Sequence, residues 1–77
     1  MTKDALALKK IVWRQPDGKR VTCDDKLKVL TENLEEIRQA CQDALEDAVL
    51  MGCDETQVRE VLDKVVASVE NPYKKEK

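Results

Sequence analysis

Three cysteines, sixteen carboxylates, one serine and no histidine are the groups with which this chain of 77 residues could do chemistry. Cys23, Cys41 and Cys53 are too widely spaced for a Cys-x-x-Cys pair. An odd count without such a pair does not build a disulfide framework, and it fits a reducing compartment. Cys53 stands just ahead of a predicted helix N-terminus, whose partial positive charge favours a thiolate, so it is the candidate reactive thiol. The competing reading for all three is burial, since free cysteine packs as a small hydrophobe.

Glu32, Glu35, Glu36, Asp43, Glu46 and Asp47 recur at steps of one, three and seven, and so can share the face of one helix. In a helical bundle, inward glutamates with Glu-x-x-His pairs hold a di-iron centre. This chain has no histidine, and its acids fall mostly off the apolar stripe described below, so a solvated face is expected. Nucleophilic catalysis lacks its parts as well. Ser68 is the one serine, and two isolated glycines cannot form a phosphate loop or a dinucleotide fingerprint. The expectation is no metal, no cofactor, no small-molecule substrate and no enzyme.

Lys9, Lys10, Arg14, Lys19 and Arg20, followed by Lys26 and Lys28, form a basic cluster. Clustered cations bind phosphates, and an exposed aromatic could stack on a base, but Trp13 is expected to face the core, on one covered face of the hairpin described below with Ile11, Val21 and Cys23. Charge is unevenly spread along the chain. Residues 1–28 hold eight basic and four acidic side chains, a balance of +4, whereas residues 29–71 hold three and eleven, a balance of −8. The basic cluster could therefore meet nucleic acid, an acidic protein, or the acidic helix of another copy. Lysines that blunt a strand edge are the plainer alternative.

These groups need elements to hold them. Leu27, Leu30, Leu34, Ile37, Cys41, Ala44, Ala48 and Met51 recur at alternating steps of three and four, which predicts a helix over 24–51. Asp24 and Asp25 suit its N-terminus, and Gly52 suits the left-handed residue that ends it. Asp54 with Gln57 then reads as the capping start of a second helix over 55–70, apolar at Val58, Val61, Leu62, Val65 and Val69. Asn71-Pro72 stops that helix.

Gln15-Pro16-Asp17-Gly18 is a turn sequence between two apolar-alternating runs, which predicts a β-hairpin over 9–23. Its register sets Gln15 opposite Lys19, Trp13 opposite Val21 and Ile11 opposite Cys23. The expected fold is α+β and mainly helical, in the order β-β-α-α: an N-terminal hairpin packed on an antiparallel helical hairpin. Residues 1–8 are expected to be a flexible lead, 9–71 the single domain and 72–77 a disordered tail.

No run approaches the roughly 18–20 apolar residues that cross a bilayer, and residues 5–8 are too short for a signal peptide's apolar region. A cytoplasmic location without membrane contact is expected. A chain this small supplies little core, so association is a natural source of stability. The heptad-like stripe serves either as an internal face or as a seam with a partner. The expected function is a non-enzymatic protein-interaction module, an accessory or regulatory subunit acting as a homodimer or with a protein partner. Its expected interface is Leu27, Leu30, Leu34 and Ile37. The alternative is a small nucleic-acid-binding regulator that uses Lys9, Lys10, Arg14, Lys19 and Arg20.

Overall fold

A computed structural model describes residues 7–73. Two helices make up most of it: α1, Asp24–Leu50, and α2, Glu55–Ala67, after a short 3-10 turn at Leu8–Lys10. The chain divides into two compact units, Met1–Ala40 and Cys41–Lys77, with the division falling inside α1. Most of the expected flexible lead and of the expected tail lie outside the described residues.

The expected α+β class is corrected. Among the described residues there is no strand, and the β-β-α-α order gives way to two helices. What occupies residues 11–23 is a turn with a single isolated antiparallel bridge, Arg14 to Arg20. The turn itself is well made. Gly18 N–H donates to the Gln15 carbonyl at 2.8 Å, and Lys19 N–H donates to Asp17 Oδ1 at 2.9 Å. Gly18 sits at φ 89°, a conformation that favours glycine. Gln15 N–H donates to Lys19, and Val21 N–H to Trp13.

Pairing stops there for three physical reasons. The 3-10 turn ends at Lys10 and α1 starts at Asp24, leaving few residues to extend a ladder. The one bridge sets two arginines opposite each other, and like charges directly opposed are destabilising. A lone two-stranded ribbon is marginal in water even with good pairs.

In the first unit, α1 starts where the Leu27 N–H donates to the Cys23 carbonyl, which puts Cys23 at the cap position. Asp24 and Asp25 follow in the first turn, where their charge complements the helix dipole. Leu27, Leu30, Thr31, Leu34, Glu35 and Arg38 are half-buried, as are Trp13 and Val21. Ile11 and Cys23, expected on the covered face of a hairpin, are exposed.

In the second unit the last turns of α1 and all of α2 form a helical hairpin. Its connection follows from local chemistry. Gly52 takes φ 95°, its N–H donates to the Val49 carbonyl, and Cys53 N–H donates to the Ala48 carbonyl at 2.9 Å. Those two bonds are the Schellman pattern, and they satisfy carbonyls that the helix end would otherwise leave unpaired. Asp54 then caps α2, its Oδ2 accepting from Gln57 N–H at 2.9 Å. The helix ends at Ala67, sooner than residue 70, with Ser68 N–H reaching back to the Lys64 and Val65 carbonyls. Val69 therefore stands outside it.

Cys41, Gln42, Leu45 and Ala48 of α1 and Val58 and Leu62 of α2 are half-buried in this unit. No described residue is fully buried in either unit. A half-covered leucine contributes about 1 kcal/mol, half of what full burial would give.

Candidate functional site

The four expected interface residues all belong to the first unit. Leu27, Leu30 and Leu34 are half-buried, while Ile37 is 52% exposed. The covered face of α1 is therefore turned by about one position from the expected stripe. Residues 27, 30, 34, 41 and 48 lie on it as read, but Ile37, Ala44 and Met51 are exposed. Thr31, Arg38, Gln42 and Leu45 are half-buried instead. Apolar type alone pointed to the wrong flank, because the covered flank is mostly polar.

The five cations are all exposed, and three of them, Lys9, Lys10 and Arg20, border a cleft of the first unit. That cleft, about 400 Å³, is lined by Trp13, Val21 and Leu27 together with Lys9, Lys10 and Arg20. Arg14 lies outside the cleft and donates from Nη1 to the Gly18 carbonyl at 3.0 Å. On the other side of Lys9 a second cleft mixes signs, with Asp24, Glu32 and Glu35 beside Lys9 and Lys28. Trp13 is half-buried.

The second unit contains a feature that sequence reasoning missed. Leu45, Val49 and Leu50 line a cleft of about 400 Å³ with Glu46 and Glu55 on its walls. Leu50 is 85% exposed. The signal was present as the Leu45–Val49 pair, four apart and one position off the stripe, followed by Leu50. Each carboxylate has a neighbour on its own helix. Glu46 Oε2 accepts from Gln42 Nε2 at 2.8 Å, and Glu55 Oε2 pairs with Arg59 Nε at 2.9 Å. The latter ion pair is solvent-exposed and worth about 0.3–0.5 kcal/mol.

The cysteines do not follow the burial reading. Cys41 is half-buried, but Cys23 and Cys53 are exposed. No group of three or more Cys, Asp or Glu side chains placed to hold a metal ion occurs among the described residues. No helix among them is long and apolar enough to cross a membrane.

Comparison with protein-family models, with curated proteins and with solved structures finds no match in any of the three. The functional reading therefore rests on the chain's own surfaces.

Proposed function

We propose that this chain is a small non-enzymatic interaction module, working as a homodimer or as the accessory subunit of a protein partner. The observation that carries the reading is an unfinished core. Among the described residues none is fully buried, whereas twelve large apolar side chains are exposed. Half-covered leucines and valines leave hydrophobic free energy unused, and a partner that binds only the folded state supplies it. Leu27, Leu30, Leu34 and Ile37 remain the assigned contact on α1, with Ile37 the most accessible of the four.

The test is solution mass by size-exclusion chromatography with light scattering across protein concentration. The expected result is a dimer at twice 8.8 kDa. Leu30→Glu combined with Leu34→Glu should return it to a monomer whose helical circular dichroism persists. A dimer that survives this double change with its fold intact would move the interface elsewhere.

A second reading, a nucleic-acid-binding regulator, is favoured by one observation: Lys9, Lys10, Arg14, Lys19 and Arg20 are all exposed. Phosphate contacts of this kind are strongly salt-dependent. A gel shift at low salt that is lost in Arg14→Glu with Arg20→Glu would support it, and no shift on any DNA or RNA would retire it.

A further inference from the structure

The cleft lined by Leu45, Val49 and Leu50, with Glu46 and Glu55 on its walls, lies wholly within the second unit. Leu50 is 85% exposed, so the cleft stands open to solvent and would leave a small ligand largely uncovered. Its surroundings are acidic. Residues 41–58 carry five carboxylates and no cation. Arg59, the next cation along the chain, pairs with Glu55 and so neutralises that wall. Glu46 differs, because its Oε2 accepts from Gln42 Nε2, a neutral donor that leaves the charge in place. Asp43, Glu46 and Asp47 stand seven, four and three residues before Leu50, spacings that set them on its side of α1. The last turn of α1 has no basic residue, although the negative end of the helix dipole lies there.

We infer that this cleft is the docking site for a basic amphipathic helix of a partner protein. The apolar side chains of that helix fill the cleft, while its lysines or arginines meet Glu46, Asp47 and the C-terminal end of α1. This rests on the interaction-module reading and gives the partner a chemistry. Strand addition needs a free sheet edge, and the described residues of the second unit include no strand. A helix with apolar side chains at i, i+3, i+4 and i+7 fills an open cleft without main-chain pairing. A second copy docking through the same cleft would set these carboxylates against their own kind, and anionic headgroups of a lipid surface would be repelled likewise. A cation-bearing chain gains where those lose. Apolar contact supplies most of the affinity, since exposed ion pairs add little each, and the charges select the partner.

The test titrates the full chain into fluorescent peptides of about 15 residues, with binding read by anisotropy. The first peptide has leucines at the spacing i, i+3, i+4, i+7 and lysines elsewhere. The second replaces each lysine by glutamate, and the third keeps the first composition with its leucines spread round the helix. The natural chain should bind the first peptide best, and more weakly as salt rises from about 0.05 to 0.5 M. Leu50→Ser should weaken that binding at least about tenfold. Glu46→Lys with Asp47→Lys should move the preference to the glutamate peptide. All three positions are exposed, so the fold should persist, which circular dichroism checks. If the reversed pair unfolds, Glu46→Gln with Asp47→Asn replaces it and should lose the discrimination between the first two peptides. Equal binding of the first and third peptides, or equal binding by the natural chain and Leu50→Ser, overturns the cleft as the contact. Equal binding of the first and second peptides overturns the basic partner. Self-association of the natural chain that Leu50→Ser abolishes makes a second copy the occupant and overturns the inference too. Failure to bind any of the peptides also overturns it. If the chain nonetheless dimerises through Leu30 and Leu34, the interaction-module reading still stands.

Discussion

Arg14 and Arg20 face each other across the one antiparallel bridge of this chain's described residues. Two guanidiniums directly opposed repel, and Arg14 is drawn over the loop by its bond to the Gly18 carbonyl. The turn from Gln15 to Lys19 is thus held by backbone bonds and by Asp17, while the pair just beyond it works against extension. The same pair concentrates positive charge on an exposed segment, next to the cleft lined by Trp13, Val21 and Leu27.

Arg20→Glu should strengthen the pairing. It keeps the Arg14 bond to Gly18 and replaces repulsion by an opposite-charge cross-strand pair, worth roughly 0.2–1 kcal/mol. Slower amide hydrogen exchange at Gln15 and Val21 is the expected outcome. Unchanged exchange would mean that segment length, not charge, ends the pairing.

Gly52→Ala should destabilise the helical hairpin by about 1–2 kcal/mol. A Cβ at Gly52 meets nothing within 4 Å, so the whole cost is the left-handed backbone at φ 95°. Gly52→Asn should cost clearly less, because asparagine tolerates that region better. Urea denaturation of both variants measures the difference, and equal costs would point to a steric cause instead.

Asp54→Ala removes the acceptor of the Gln57 N–H and should cost about 1 kcal/mol. Asp54→Ser should restore most of it, since a serine hydroxyl can take the same bond. A serine variant as weak as the alanine one would show that the cap bond contributes little and that the carboxylate charge near the helix start is what counts.

What was legible in the sequence is what local chain chemistry decides. Gly52 and Asp54 mark the helix stop and restart because left-handed φ and an orphan N–H each demand a small set of residues. The Pro16–Asp17–Gly18 loop was legible for the same reason. The strand was not, because a ladder depends on how many residues the flanking helices leave free, and α1 starts at Asp24. The covered flank of α1 was hidden because Thr31, Arg38 and Gln42 are polar, so apolar spacing favoured Ile37, Ala44 and Met51. The basic residues were found by composition. The acidic cleft was missed because it combines Leu45, Val49 and Leu50 of α1 with Glu55 of α2, which only the tight connection brings together.

Leu45→Ala and Ile37→Ala separate internal cover from external contact. Leu45 is half-buried, so truncation should cost about 1–2 kcal/mol at any protein concentration, below the 2–5 of a full core site. Ile37 is 52% exposed, and in a monomer its loss should stay within about 0.5 kcal/mol. In a dimer that uses Ile37, the cost of Ile37→Ala should instead grow with protein concentration. Thermal melts at two concentrations distinguish these cases. A large, concentration-independent cost for Ile37→Ala would place it in the fold rather than at an interface.

Thiol chemistry gives an independent check on the same surfaces. Cys23 and Cys53 are exposed and Cys41 is half-buried, so brief alkylation of the native chain should label two sites and spare the third. Cys23 and Cys53 should react at similar rates, because each is exposed, each stands just ahead of a helix and each is followed by two carboxylates, Asp24-Asp25 and Asp54-Glu55. Peptide mapping by mass spectrometry over a time course reads the rates directly. Equal rates at Cys23 and Cys53 remove the case for Cys53 as a distinctive thiol, and a markedly faster Cys53 would restore it. Rapid labelling of Cys41 would mean that the covered face of α1 opens readily, which is the behaviour expected of a half-covered helix lacking its partner.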